Sequence, residues 1–230
     1  MRQRAVDAVE MMDLPDCDPT KLERTYRQFG LVNLLFSGWR RLYCNELRPL
    51  LSHDSATTLL DIGCGGGDLA RQLAFWAARD KLLLDVTGID PDARAHTYSS
   101  RCPHHFSVRF RQADSTDLVR EGRRFDVVIS NHVVHHLQPA GLAQLLTDSQ
   151  ALARRLSLHN DLRRSIAAYA LFSLAALPFR GSFIRKDGLT SIRRSYTPQE
   201  LTAAAPPGWQ VARRSPFHQV LIHRPGHPDG

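Results

Sequence analysis

The residues most able to do chemistry are four groups of acids, glycines and histidines spaced along the first two thirds of the chain. Asp61-Ile62-Gly63-Cys64-Gly65-Gly66-Gly67-Asp68 places three glycines at alternate positions beside an acid. Such glycines let main-chain N–H groups approach a ligand with no Cβ in the way, and a helix starting near Asp68 adds an N-terminal dipole. Asp90 lies 27 residues beyond Gly63, where an acid can accept hydrogen bonds from both hydroxyls of a ribose. Asp114 suits the amino group of an adenine. Asn131, His132, His135 and His136 form the fourth group, and a histidine near neutral pH can take a proton from a phenol or enol.

These groups need rigid supports, and the hydropathy pattern supplies them. Leu59–Ile62, Leu82–Asp90, Val108–Asp114 and Phe125–Asn131 read as buried strands, each followed by a polar helical stretch, the pattern of a doubly wound parallel sheet. Val133–Leu137 reads as the start of a helix in which Asn131 and His135 share one face and His132 and His136 the adjacent one. Gly141–Arg155 is expected to be helical, Arg155–Asp161 a short fifth strand, and the segments around Gly208–Arg214 and His218–His223 a sixth and seventh.

A lone glycine loop and an acid after the second strand would also suit a nicotinamide dinucleotide. The loop here is D-x-G-x-G-x-G instead of G-x-G-x-x-G, and no Lys-Ser or Lys-Thr follows it, which excludes a phosphate-cradling Walker loop. On these residues, over roughly residues 57–140, the chain resembles the class I S-adenosylmethionine-dependent methyltransferases of the small-molecule type. The resemblance implies a Rossmann-like α/β fold with seven mostly parallel strands, an antiparallel last strand beside the sixth, helices on both faces and an N-terminal helical cap. It also implies S-adenosylmethionine as cofactor and S-adenosylhomocysteine as product. Asp61, Gly63 and Gly65 would surround the methionine end, Asp90 with Pro91 the ribose, Asp114 and Ser115 the adenine, and Asn131 and His132 the sulfonium. Arg40 or Arg41 could meet the methionine carboxylate.

Composition bounds the reading. With 230 residues, 43% hydrophobic and 23% charged, the chain can bury one good core. The expected division is a helical cap over 1–56, the cofactor-binding domain over 57–224 with an insertion at about 162–200, and a disordered tail at 225–230. No apolar run is long enough to span a bilayer and no secretory leader is read, so a cytoplasmic location is expected. Cys17, Cys44, Cys64 and Cys102 form no C-x-x-C pair, and neither a metal site nor a disulfide is expected. The net charge of +7 rests on 27 arginines and only three lysines. These arginines are scattered in pairs without aromatic interleaving, which disfavours a nucleic-acid partner.

Residues 20–50 carry apolar residues at spacings of three and four, a helix with Gly30 or Gly38 as candidate breaks. Ile166–Leu177 is apolar all round, so it is buried or faces something greasy. With Phe183, Ile184 and Tyr196 it is expected to wall an acceptor pocket through Leu171 and Phe172, and its flanking arginines would let it rest on a membrane surface. This helix and the Ser-x-Arg-Arg-x-Tyr-Thr-Pro stretch at 191–198 are similar to those of quinone C-methylase-like enzymes of bacterial polyketide and phenolic-lipid pathways. The expected activity is methyl transfer to oxygen or carbon of a small, aromatic, lipophilic acceptor, with His132, His135 or His136 as base. The competing view of those histidines is scaffolding; competing functions are a ribosomal or tRNA methylase, an NAD enzyme and a non-catalytic cofactor-binding partner. The oligomeric state is not legible.

Overall fold

The computed structural model describes residues 1, 3–102, 106–214 and 217–226, and at Leu34, Leu35 and Phe36 the backbone only. Of the expected tail at 225–230, residues 227–230 lie outside the described residues. Seven strands form one sheet in the order β3-β2-β1-β4-β5-β7-β6. They are β1 (Thr57–Ile62), β2 (Leu84–Asp90), β3 (Val108–Gln112), β4 (Phe125–Asn131), β5 (Ala153–Leu162), β6 (Trp209–Arg213) and β7 (His218–His223). The first five run parallel, and β7 inserts antiparallel between β5 and β6, as expected.

Alternation along the central strands builds a core on each face. Leu59, Val127, Ile129 and Leu158 point to one side, packed on α2 (Trp39–Leu42) and α3 (Asp68–Arg79). Leu60, Ile62, Val128 and Leu221 point to the other, under α6 (Pro139–Leu152) and α9 (Pro198–Ala204). Strands buried on both faces read as continuous apolar runs, which is why β1 and β4 were visible in the sequence. The strand order reverses between β1 and β4, so their carboxyl ends splay apart and open the crevice where ligands of open α/β sheets bind. Register then aligns the acids and amides along that edge: Asp61 pairs with Gly88 and Ile129, and Asn131 with Asn160.

Helix α1 (Pro19–Phe36) is capped by Asp18, which accepts from the Thr20 and Lys21 amides, and passes through Gly30 unbroken. The break falls at Gly38, whose φ of 74° turns the chain into α2, a π turn at Tyr43–Leu47 and a 3-10 turn at Arg48–Leu50. Helices α4 (Ala93–Arg101) and α5 (Ser115–Arg120) follow β2 and β3. Three boundaries depart from expectation. Pro139 at the first turn starts α6 earlier, and the chain then enters β5 directly at Ala153, because Ala153 pairs with Phe125. The segment after β4 does not continue as a helix. His132 has a φ of 58° and only Val134–His136 forms a 3-10 turn, tightened because the His135 amide donates to Asp161 at 2.5 Å. Finally, α7 (Ile166–Ala175) is shorter than its apolar run, and a further helix, α8 (Ile184–Arg194), follows it. Gly188 inside α8 lets the two pack, since a Cβ there would lie 2.3 Å from the Phe172 ring.

Candidate active site

A cavity of about 490 Å³ opens at the carboxyl edge of β1, β2 and β4 and extends beneath α7 and α8. It reaches from the glycine loop through Asp90 and Pro91 to an apolar wall of Leu171, Phe172 and Ile192. The loop is shaped for close approach: Gly63 has a φ of 67°, and a Cβ on it would lie 2.6 Å from Val133. Asp90 accepts from the Gly65 amide at 2.8 Å and from the Asp92 amide at 2.9 Å, which fixes its carboxylate at the cavity edge. Burial raises the Asp90 pKa against the pull of these two amides.

Asp61 is fully buried on the cavity wall, and neither of its carboxylate oxygens has a hydrogen-bond partner. Burial, and then the charges of Asp68 and Asp90, push its pKa well above the ordinary carboxylate range. A buried carboxylate left without donors is costly, and an ammonium group would relieve it. That chemistry fits the amino-acid end of S-adenosylmethionine, for which the resemblance assigns Asp61. Beside it a chain of amides joins the cap to the sheet. Asn33 of α1 donates to Asp68 at 2.8 Å and accepts from Asn131 at 3.2 Å. Asn160 in turn donates to Asn131 at 3.0 Å and to the Ser37 carbonyl at 3.1 Å.

The histidine turn sits at the far end of the cavity. His135 is 2% exposed, its Nδ1 lies 2.7 Å from Asp161 and its Nε2 3.3 Å from Glu10. Burial alone would strip its proton, but the Asp161 and Glu10 carboxylates prevail and raise its pKa to about 10. Burial also works against the Glu10 carboxylate, yet His135 holds it at about 2. His132 contacts His218 through Nε2 to Nε2 at 3.2 Å, and burial pushes the two to about 3 and about 4. His136 is more open, with its Nδ1 3.2 Å from Asp13. Both ring nitrogens of His135 thus face carboxylates, whereas His132 faces the His218 ring.

Of the residues singled out in the sequence, Asp61, Gly63, Gly65, Asp90, Pro91, Asn131, His132, His135, His136, Leu171 and Phe172 line this one cavity. Five do not. Asp114 caps α5 through the Asp117 amide, and Ser115 turns inward to donate to Asp148 at 2.7 Å. Arg40 lies over the Tyr43 and Trp76 rings on the outer face of the sheet. Phe183 packs behind the cavity with Leu22 and Tyr26, and the Tyr196 hydroxyl donates to the Leu137 carbonyl while Arg4 covers its ring. The sequence reading missed Glu10, Asn33, Asp161 and His218. Asn33 left one signal, a polar residue within an apolar helical stripe. Glu10 left none, because the strap that carries it is placed by remote contacts: Arg4 to the carbonyls of His135, Leu137 and Arg194, and Met11 and Met12 to Asp187.

The chain is similar to known methyltransferases. Residues 59–155 match the family model of the methyltransferase domain. The chain is 33% identical over 162 residues to a ubiquinone biosynthesis O-methyltransferase of Methylobacterium sp. (strain 4-46), covering 67% of this chain and 59% of that protein. It is 31% identical over 133 residues to the protein of that name from Azorhizobium caulinodans, covering 57% of this chain and 49% of the relative. The chain thus spans about half to three fifths of the length of these relatives. Among solved structures, human N-acetylserotonin methyltransferase superposes with a TM-score of 0.60 at 14% identity, over 88% of this chain and 55% of that one. The plantazolicin methyltransferase BpumL, solved with S-adenosylhomocysteine, gives 0.57 at 14% identity over 89% and 95%.

Proposed function

Because the chain belongs to the class I S-adenosylmethionine-dependent methyltransferases, we propose that it methylates an oxygen of a small, lipophilic, hydroxylated aromatic compound. The observation that carries this reading is the continuity of one cavity from the glycine loop and Asp90 to the apolar wall of α7 and the histidine turn. Its volume lies within the range of small-molecule sites. When bound, S-adenosylmethionine would supply an electrophilic methyl group to the acceptor oxygen, leaving S-adenosylhomocysteine and a proton from the hydroxyl. The protein's part is placement in a water-poor site. Asp90 holds the ribose, Asp61 the ammonium, and Asn131 with His132 the region of the sulfonium. His135 positions the turn through its two bonds to Asp161. Oxygen is favoured over carbon because the relatives in ubiquinone biosynthesis are named O-methyltransferases.

Helix α7 supports the lipophilic part of the reading. Leu171 and Phe172 face the cavity, while Ile166 is 72% and Leu174 66% exposed on the outer side. Arg180, Arg185 and Lys186, which follow α7 in sequence, are exposed. A peripheral contact with an anionic membrane, through which an alkylated phenol would enter, follows from the combination. Among the described residues no helix is long and apolar enough to cross a membrane. Turnover of alkylphenols with methyl-labelled S-adenosylmethionine tests the reading: label on the phenolic oxygen supports it, and label on ring carbon or on RNA instead of the phenol overturns it.

A further inference from the structure

Two carboxylate-backed imidazoles converge on one glutamate at the inner end of the cavity. The His135 Nδ1 is held by Asp161 at 2.7 Å, and the His136 Nδ1 by Asp13 at 3.2 Å. Their Nε2 atoms both turn to Glu10, at 3.3 Å from Oε1 and 3.8 Å from Oε2. We infer that Glu10, His135 and His136 form a binding site for a divalent first-row metal ion, open on its cavity side to an oxygen of the acceptor.

Three observations converge on this site. The three donor atoms all lie within 4.8 Å of one another. Two ligands at ~2.0 Å on a tetrahedral ion stand roughly 3.3 Å apart, which the His135–Glu10 separation already matches. His135 Nε2 is buried, aimed at Glu10, and makes no aligned hydrogen bond. A metal-bound imidazole commonly gives its other nitrogen to a carboxylate, and both histidines here have that backing.

Two imidazoles and one carboxylate suit zinc, cobalt, manganese or iron better than calcium or magnesium, and three protein ligands leave positions open. Glu10 belongs to the N-terminal strap and the histidines to the turn after β4, so the ion would also tie the strap down over the cavity. That an acceptor oxygen fills the open position rests on the methyltransferase reading; the binding of the ion does not.

The test is titration of untagged, chelator-stripped full-length chain with Co²⁺, followed by visible absorption and calorimetry, with S-adenosylhomocysteine affinity measured on the same samples. One Co²⁺ per chain is expected, with ligand-field bands, displaced by Zn²⁺. Glu10→Gln and His136→Ala should each weaken it about 10–100-fold while S-adenosylhomocysteine binding changes little; His136 lies at the rim, so that variant keeps the core intact. Wild-type protein that binds S-adenosylhomocysteine but takes up no more Co²⁺ than the Glu10→Gln/His136→Ala double variant overturns the site and leaves the proposed function standing. Specific Co²⁺ uptake without S-adenosylhomocysteine binding does the reverse.

Discussion

The His135 imidazole is clamped between Asp161, 2.7 Å from its Nδ1, and Glu10, 3.3 Å from its Nε2, with all three side chains almost completely buried. The clamp joins the end of β5 to the N-terminal strap through the turn after β4. Removing the central partner leaves two buried carboxylates facing each other, and breaking a buried pair in this way typically costs about 3–5 kcal/mol. His135→Ala should therefore lower the free energy of urea unfolding by roughly that amount. An unfolding midpoint equal to wild type would refute the clamp.

Asp90 binds two main-chain amides and is expected to hold the ribose hydroxyls as well. Asp90→Ala should weaken S-adenosylhomocysteine by about 1.5–3 kcal/mol, since charge-assisted bonds are lost. Asp114→Ala should have a much smaller effect, because that side chain caps α5 outside the cavity.

Asp61 gives a linkage prediction. Its pKa in the free protein is raised by burial, so around and above the ordinary carboxylate range a fraction of the free protein carries a proton on it. An ammonium placed against it lowers that pKa, so binding releases the proton and affinity rises with pH through the raised window. Calorimetry of S-adenosylhomocysteine binding in buffers of different ionisation enthalpy should show proton release that Asp61→Asn abolishes. Heats independent of buffer would contradict the placement of the ammonium.

The glycine loop, Asp90 and the four central strands were legible because they depend on short-range pattern: strands buried on both faces, glycines at fixed offsets, an acid at a strand end. The capping box of Thr197 and Glu200 was legible for the same reason. The histidine turn was not, since nothing local says that Asp161 will draw the His135 amide in and stop a helix. Ser115 and Arg40 show the limit of carrying roles over by position: Asp148 and the Tyr43–Trp76 pair compete for those side chains and hold them. The strap bearing Glu10 is fixed by partners more than 100 residues away in sequence, which no window along the chain can reveal.

Asn33 links α1 to Asp68 and Asn131 at the cofactor end. Asn33→Leu should loosen the cap and weaken S-adenosylhomocysteine about tenfold, at roughly 1–1.5 kcal/mol for one buried polar link. A fall in stability with unaltered affinity would assign Asn33 to the core instead.

Leu171 and Phe172 stand on the apolar wall. Leu171→Asp or Phe172→Asp should abolish turnover of a lipophilic phenol while S-adenosylhomocysteine still binds, because a carboxylate there removes the apolar contact area without touching the glycine loop. Turnover at the wild-type rate would move the acceptor elsewhere.

We propose the crevice between β1 and β4 as an S-adenosylmethionine site serving methyl transfer. Its most direct test is calorimetric titration of the purified chain with S-adenosylhomocysteine, with NAD as competitor. One site per chain with micromolar affinity, unaffected by NAD, is expected. Saturable binding of NAD with no heat from S-adenosylhomocysteine would contradict it.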